Sequence, residues 1–179
     1  MIWFTADTHF GHRNIVEYSS RPWADVDAMN TGLVDRWNAV VGVGDEVWHL
    51  GDVALRGSAA LEWVPKLNGR IHLVLGNHDD MRSGVAEMFA SVQEVKYLRA
   101  EGYRFYLSHY AHRVWRNSVH GSFHLYGHSH GDLPGLGRSM DVGVDANDYA
   151  PISLAAVVGK LSVAGITDHH IEREPARLS

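Results

Sequence analysis

The sequence contains no cysteine among its 179 residues. This absence excludes a disulfide scaffold, a cysteine-ligated zinc finger, an iron–sulfur protein and a cysteine nucleophile. Long apolar runs are also lacking, since no stretch approaches the ~20 residues that a membrane-spanning helix needs. Basic charge is in deficit, with 16 Lys and Arg against 21 Asp and Glu, which gives a net charge of −5. We therefore expect no membrane association and no binding of long nucleic acid, for which a basic surface is typical.

The remaining composition is that of one folded domain, with 45% hydrophobic and 21% charged residues. We expect a single domain over residues 1–165 and a polar C-terminal tail over 166–179. The first residues lack a basic segment and reach an acid at Asp7, so we expect no signal peptide and a cytoplasmic protein. The unusual feature is histidine, with 13 residues. Histidine is the commonest metal ligand and the usual acid or base near neutral pH.

Short apolar runs alternate with helical patterns, which predicts a layered α/β or α+β domain. Apolar residues from Val26 to Val40 recur at the spacing of one helix face. The predicted helices cover residues 25–40, 58–64, 81–90 and 151–161. The predicted strands cover residues 2–6, 46–50, 70–75, 103–107, 122–126 and 139–144.

Polar side chains follow five of the predicted strands, at the point where each strand ends. In layered α/β domains the carboxyl ends of the strands line the binding crevice, so these side chains should converge. Seven candidate ligands are more than one metal ion needs, and they suit two ions that share a bridging carboxylate. The candidates are Asp7, His9, Asp52, Asn77, His109, His128 and His130.

The spacing within these blocks has physical reasons. Asp7 and His9 are two residues apart, as are His128 and His130, and an extended segment places such pairs on one side. Glycine precedes Asp52, Asn77 and His128, where it permits a sharp turn and the close approach of an anion. Mixed nitrogen and oxygen ligands favour transition metals over Mg or Ca. We expect two divalent ions, with Mn first and Fe, Zn, Ni or Co as alternatives.

The ordered blocks resemble the pattern of the calcineurin-like metallophosphoesterase superfamily. That pattern reads D-x-H, G-D, G-N-H-(D/E), H and G-H-x-H, and it stands here at positions 7–9, 51–52, 76–79, 109 and 127–130. The stretch 4–12 and the Arg21-Pro22 pair are similar to small single-domain members from phages and bacteria. The resemblance extends from residue 1 to about residue 160. It implies a four-layer β-sandwich flanked by helices and the hydrolysis of phosphoric esters.

The resemblance also implies a role for individual residues. One metal would be held by Asp7, His9 and His130. The other metal would be held by Asn77, His109 and His128, and Asp52 would bridge the two. His78 would protonate the leaving oxygen, and Asp79 would orient His78 or tune its pKa, although a helix N-cap is an equally ordinary role for Asp79. Many relatives carry another acid shortly after the G-D pair, where this chain has residues 53–55, so any support of Asp52 must come from elsewhere.

Other polar residues near these blocks leave two readings open. The candidate substrate-binding residues are His12, Arg13, Asn14 and Arg113, with ordinary loop positions as the alternative. We expect structural roles for the remaining polar residues that we single out, which are His49, His72, Asp141 and Asp145.

A small phosphodiester is the favoured substrate, such as a cyclic nucleotide or a short nucleotide fragment. A chain of this length has no room for a cap domain, and it shows no conspicuous arginine clamp for a dianionic monoester. The alternatives are a phosphomonoesterase, a nuclease on longer nucleic acid and a non-catalytic protein-binding scaffold of the same fold. The presence of His78 disfavours the scaffold. The sequence makes no prediction of oligomeric state.

Overall fold

The computed structural model describes residues 1–81 and 84–166. Within these residues two β-sheets pack face to face. The strands are β1 (Ile2–Thr5), β2 (Glu46–His49), β3 (Arg70–Val74), β4 (Ser91–Gln93), β5 (Val95–Ala100), β6 (Tyr103–Ser108), β7 (Phe123–Tyr126), β8 (Ser139–Asp141) and β9 (Ile152–Ser153). The helices are α1 (Ile15–Tyr18), α2 (Val26–Val40), α3 (Gly57–Trp63) and α4 (Leu154–Leu161). Short 3₁₀ segments lie at Val64–Lys66, Ala86–Met88, Ser118–His120 and Val144–Ala146.

The first sheet has the strand order β4-β3-β2-β1-β9. Strands β1 to β4 run parallel, and β9 runs antiparallel to β1. The central strands are rich in Val, Ile, Leu, Phe and Trp, which suits strands buried on both faces. Because β1, β2 and β3 are parallel, they end at the same edge of the sheet, shortly before Asp7, Asp52 and Asn77.

The second sheet has the strand order β5-β6-β7-β8. Strands β5 and β6 form an antiparallel hairpin, and β6, β7 and β8 run parallel. Strand β6 ends just before His109 and β7 just before Gly127. Hydrogen bonds bring this end against the carboxyl edge of the first sheet, since the His109 ring bonds to the Leu50 carbonyl and the His128 amide donates to Asp7.

Two apolar cores follow from the alternation of side chains along the strands. The core between the sheets contains Phe4, Trp48, Phe105, Leu107 and Leu125. The core on the other face of the first sheet joins strand residues to the buried stripe of α2, and it contains Trp3, Val47, Leu73, Met29, Leu33 and Trp37. The sandwich therefore holds the carboxyl ends of both sheets in fixed relation.

A loop, rather than a helix, covers the outer face of the second sheet. This loop spans residues 109–122, and its Trp115 is buried with its ring centroid 5.2 Å from that of His124. Helices α2 and α3 cover the outer face of the first sheet. The predicted α/β sandwich is confirmed, and the layer over its second sheet is this loop.

Most predicted elements correspond to observed ones, and α2 begins as expected after Asp25, whose side chain accepts a hydrogen bond from the Ala28 amide at 2.8 Å. The predicted helix over 81–90 is wrong. Residues 82–83 lie outside the described residues, Gly84 has a φ of 85° that ends a helix, and only a 3₁₀ turn and the strand β4 follow. The helix predicted over 151–161 is shorter than expected. Residues Ile152–Ser153 form β9, and α4 begins at Leu154 with Ser153 as its N-cap.

The predicted tail over 166–179 lies outside the described residues apart from Ile166. Among the described residues, no helix combines the length and the apolar character that crossing a membrane requires.

Candidate metal centre

Two clusters of ligand atoms form where the carboxyl ends of the two sheets meet. Asp7, His9 and His130 each place one ligand atom within 4.8 Å of the others, and Asp52, His109 and His128 do the same. The structure thus brings together the residues that the strand ends predicted. Asn77 adjoins the second cluster, because its Oδ1 lies 3.1 Å from His109 Nε2.

Asp52 lies between the two clusters. Its Oδ2 atom is 3.5 Å from His9 Nε2 in the first cluster and 3.6 Å from His109 Nε2 in the second. Its other oxygen accepts a hydrogen bond of 2.9 Å from the backbone amide of His78. One carboxylate oxygen therefore faces ligand nitrogens of both clusters.

The backbone at the ligand residues is not extended. The extended segment that we expected at the Asp7/His9 and His128/His130 pairs is therefore wrong. The φ angles are positive at Asp7 (58°), His9 (52°), Asp52 (57°), His128 (68°) and His130 (49°). Asp and His tolerate this left-handed region better than most residues, but each such position stores strain. The two-residue spacing also separates one pair, because His128 and His130 belong to different clusters.

Glycine is needed where the ligand loops approach each other. A Cβ atom at Gly127 would lie 2.6 Å from Asp7 Oδ2, and one at Gly76 would overlap Asp52 Oδ1. The glycines before Asn77 and His128 thus leave room for the two carboxylates. The sequence-based reason, close approach of an anion to the backbone, holds here with the anion supplied by the protein itself.

Hydrogen bonds fix the orientation of two ligand histidines. The Nδ1 atom of His109 lies 2.8 Å from the Leu50 carbonyl, which leaves Nε2 to face the cluster. The Nδ1 atom of His130 lies 2.6 Å from Asp145 Oδ2. A carboxylate or carbonyl behind a ligating histidine is the usual support of a metal site, because it fixes the tautomer and the ring orientation.

Arg21 and Asp145 form a buried ion pair that sequence reasoning missed. Arg21 Nε and Nη2 each donate to Asp145 at 2.8 Å, and Nη2 also donates to the Asp7 carbonyl at 2.7 Å. Burial raises the pKa of the Asp145 carboxyl, but hydrogen bonds from His130 and Arg21 outweigh burial and bring it below its ordinary value. The expectation of an ordinary structural role for Asp145 therefore understated the importance of this residue for the centre. The only signal in the sequence was the Arg21-Pro22 pair within the resembling stretch.

Asp79 supports the backbone around Asp52. Its carboxylate accepts hydrogen bonds from the amides of Asp52 (2.9 Å), Val53 (2.9 Å) and Gly76 (2.8 Å). Burial raises the pKa of Asp79, and the backbone hydrogen bonds oppose that rise. Because its oxygens bond to backbone amides, Asp79 does not hold the His78 ring, which differs from the expected orienting role. The alternative role as a helix N-cap is also not observed, because no helix follows Asp79 in the described residues. Many relatives carry another acid shortly after the G-D pair, and this chain does not. Asp79 supports the Asp52 backbone here instead.

His78 lies beside the first cluster and belongs to neither. Its ring centroid is 5.4 Å from that of His9 and 6.1 Å from that of His12, and the residue is exposed. It can reach a substrate at this edge without ligating an ion in the present arrangement. Its role as the acid stays a prediction.

The candidate substrate-binding residues fall into two groups. Arg13 and Asn14 line a cavity of about 280 Å³ together with His12, whose ring centroid is 5.3 Å from that of His9. Arg56 also lines this cavity and was not among the candidates. Arg113 is exposed in the loop 109–122, and no contact joins it to either cluster within residues 1–81 and 84–166.

The remaining histidines and Asp141 have structural partners, as expected. His49 is buried, its Nε2 lies 3.0 Å from Thr8 Oγ1, and burial lowers its pKa to about 3. His72 lies between Ser91 and Glu46. Asp141 accepts hydrogen bonds from Ser129 Oγ and the Gly131 amide, each 2.9 Å long, and so holds the loop that carries His130.

The clusters fit a bound metal by an independent observation. Both ring nitrogens of His9 are buried and have no hydrogen-bond partner. A buried polar atom without a partner is costly, and a cation would satisfy it. Burial also lowers the pKa of His9 and keeps its ring neutral, as ligation requires. Burial and the nearby carboxylates of Asp141 and Asp52 raise the pKa of Asp7, a repulsion that bound cations relieve.

Comparison with known proteins identifies the family. The family model for the calcineurin-like phosphoesterase superfamily domain matches residues 1–134. The chain belongs to this superfamily. The calcineurin-like phosphoesterases are metal-dependent hydrolases of phosphoric esters, and the two clusters described above supply candidate metal ligands in this member. The resemblance found in the sequence is thereby confirmed, together with metal-dependent phosphoester hydrolysis.

Relatives of this phosphoesterase occur in an archaeon and in mycobacterial phages, and a bacterial protein shares its fold. An uncharacterized protein of Methanocaldococcus jannaschii is 32% identical over 167 residues, which cover 88% of this chain and 89% of that protein. The gene 66 protein of Mycobacterium phage L5 is 40% identical over 81 residues, which cover 43% of this chain and 39% of that protein. A crystal structure of a protein of unknown function from Aquifex aeolicus shares the fold, with a TM-score of 0.74 and 24% identity over 89% of this chain and 98% of that one.

Proposed function

We propose that this phosphoesterase uses two metal ions, with Mn the expected metal, to hydrolyse small phosphodiesters such as cyclic nucleotides or short nucleotide fragments. The observation that carries the proposal is the position of Asp52. Its Oδ2 atom lies 3.5 Å from His9 Nε2 and 3.6 Å from His109 Nε2, so one carboxylate is shared by two ligand clusters. A shared carboxylate is typical of a pair of ions rather than of a single one.

The residues of the candidate centre have two kinds of role, which are to hold the ions and to donate a proton. Asp7, His9 and His130 would hold one ion. Asn77, His109 and His128 would hold the other, and Asp52, which faces both clusters, would be shared by the two sites. The ions would supply Lewis acidity toward the phosphoryl oxygens and would lower the pKa of a water molecule at the centre. His78 then donates a proton to the leaving oxygen, while Asp145 and Asp79 keep His130 and the Asp52 backbone in place.

Two features support a diester as the substrate. Asn77, His78 and His128 are exposed, so the centre is open on this side and admits a substituent on each side of the phosphorus. The buried Arg21 uses its guanidinium on Asp145, Asp7 and Thr8, so it offers no clamp to the second charge of a monoester.

A specific observation favours a phosphomonoesterase as the second candidate. Arg13 and Arg56 line the cavity beside His12. No carboxylate within residues 1–81 and 84–166 forms an ion pair with either arginine. Two free guanidinium groups near the centre would suit a dianionic phosphate.

The test compares diesters with monoesters on chelator-treated protein to which single divalent metals are restored. We expect no hydrolysis without metal, restoration by Mn at two ions per chain, and kcat/KM at least ~10-fold higher for the diester, a difference of about 1.4 kcal/mol in transition-state binding. Full activity in excess chelator, or saturation at one ion per chain, would contradict the two-metal proposal. Higher kcat/KM for the monoester would favour the second candidate.

A further inference from the structure

The outer face of the second sheet carries arginines that the metal centre does not use. Side chains alternate along β5 and β6, and Leu98 and Phe105 point into the core between the sheets. Arg99 and Arg104, which are partners in the sheet register, therefore point outward. Both are exposed, and they line a depression of about 420 Å³ at the end of the hairpin.

These arginines have no acidic partner in the described part of the chain. Like charges directly opposite each other across two strands destabilise a sheet. Glu101, at the turn of the hairpin, forms no ion pair with either arginine within residues 1–81 and 84–166. A repulsive pair without a counter-charge is the arrangement that a bound anion would stabilise.

A third arginine and a tyrosine extend this surface. The guanidinium carbon of Arg116 lies 4.6 Å from the centroid of the Tyr97 ring, and Tyr97 points outward on the same face as Arg99. Asn117 donates to the Tyr97 hydroxyl at 2.7 Å and fixes the ring. We call Tyr97, Arg99, Arg104 and Arg116 the basic face.

The loop 109–122 joins the basic face to the metal centre. It leaves the second cluster at His109, and the exposed Tyr110 ring lies 4.7 Å from that of His128. The loop then crosses the sheet, where Arg116 meets Tyr97, and its His120 carbonyl accepts a hydrogen bond of 2.9 Å from Arg104. The five residue steps from Arg104 along β6 to His109 span about 16 Å at ~3.3 Å each.

Charge is distributed unevenly along the chain. Residues 91–138 hold six of the 16 basic residues but only three of the 21 acidic residues. The rest of the chain holds 10 basic and 18 acidic residues, so a polyanion is attracted more to the second sheet and its loop than to the remainder of the molecule. A net charge of −5 therefore does not describe the surface beside the metal centre.

We propose that the basic face binds the single-stranded part of a short oligonucleotide whose scissile diester lies in the metal centre. The proposal rests on the proposed diesterase function and specifies its substrate class. Arginine binds phosphate through paired N–H groups, and its planar guanidinium also stacks on aromatic rings, as Arg116 does on Tyr97. A distance of about 16 Å accommodates roughly five phosphates of a stacked strand at ~3.4 Å each.

Binding is measured by fluorescence anisotropy of a labelled oligothymidylate on chelator-treated protein, where no hydrolysis occurs. The Arg99→Gln/Arg104→Gln variant should bind at least ~10-fold more weakly at low salt, and the slope of log affinity against log salt should fall by roughly two. Arg116→Gln should also weaken binding. The control is Arg36→Gln/Arg70→Gln, which changes the net charge equally but lies on the first sheet and α2.

Equal loss in both double variants would show a response to net charge alone and would overturn the proposal. Absence of oligonucleotide binding by the unmodified protein at low salt would overturn it as well, as would binding to phosphatidylserine vesicles in place of the oligonucleotide. The outcome is separable from that of the proposed function, because small diesters do not reach the basic face. A protein that binds the strand through these arginines but hydrolyses no diester would contradict the proposed function, and of the present proposal only the binding by the basic face would stand.

Discussion

His78 lies next to the first ligand cluster with its backbone tied to Asp52 and its ring unattached to either cluster. The backbone amide donates to Asp52 Oδ1 at 2.9 Å, which fixes where the side chain begins. The exposed ring lies on the solvent side of His9. Such a position suits a residue that gives a proton to a departing oxygen, and it distinguishes His78 from the neighbouring ligand histidines.

Replacing His78 with alanine should separate substrates by the basicity of their leaving groups. General-acid catalysis typically contributes ~10²–10⁴-fold, and it matters only for a leaving oxygen that is strongly basic. We expect a loss of that size for a diester with an alkoxide leaving group and a much smaller loss for a nitrophenyl diester, measured as kcat/KM. Metal content, measured by elemental analysis, should stay normal.

The control for this variant is His120→Ala, an exposed histidine on the far side of the loop 109–122. Equal losses on the two substrates with normal metal content would mean that His78 positions the phosphate. A fall in metal content would make His78 a ligand.

At the scale of elements, the loop 109–122 depends on a buried histidine in β7. His124 is fully buried, its Nδ1 lies 3.0 Å from the Tyr106 carbonyl, and its Nε2 accepts a hydrogen bond of 2.9 Å from the His112 amide. Only the neutral ring with its proton on Nδ1 satisfies both contacts. Burial lowers the pKa of His124 from its ordinary value of 6.5 to about 4, with His112 adding to the effect and the Tyr106 carbonyl opposing it.

His124 should therefore make the free energy of unfolding depend on pH. As the pH falls below 6.5, His124 becomes protonated in the unfolded chain, whereas in the folded chain it stays neutral until the pH reaches about 4. The neutral His124 contributes about 3 kcal/mol to the free energy of unfolding. This contribution is fully present above pH 6.5 and is lost as the pH falls from 6.5 to about 4. His124→Gln should flatten the dependence, measured by urea unfolding at several pH values, while the exposed His120→Gln should not. Equal slopes in all three proteins would contradict this role.

The elements that could be predicted are those whose signal is local. Helix α2 has an apolar face at helical spacing and an acid at its N-cap, and both are readable in the sequence. Strand β5 was missed because its outward positions carry Tyr97 and Arg99, so that it reads as a polar segment. The false helix over 81–90 had apolar spacing too, but Gly84 adopts a left-handed φ, which glycine permits at no steric cost and which apolar spacing does not reveal.

At the scale of the whole molecule, the site also contains features with a local sequence signal and features without one. The ligand set could be predicted because all seven ligands directly follow one of five strands, where each short block is readable in the sequence. The contact of Arg21 with Asp145 spans 124 positions, and the hydrogen bond that the Asp52 amide donates to Asp79 spans 27, so no local sequence pattern indicates either of them. The pairing of β9 with β1 likewise joins the two ends of the described chain. These long-range contacts decide how the ligand loops are held, and they follow from the sheet order.

Because the two clusters tie both sheets together, metal binding should stabilise the whole molecule. Each site at a metal concentration of 100 times its Kd contributes ~2.7 kcal/mol to the free energy of unfolding. For a chain of this size we expect Mn to raise Tm by on the order of 10 °C over the chelated protein, measured by calorimetry. Asp52→Asn, which alters a group facing both clusters, should lose most of this shift, whereas Asp35→Asn on the exposed side of α2 should keep it. Mg should shift Tm less, because it prefers oxygen ligands to histidine. A Tm that is the same with Mn and with chelator would contradict ligation by these clusters.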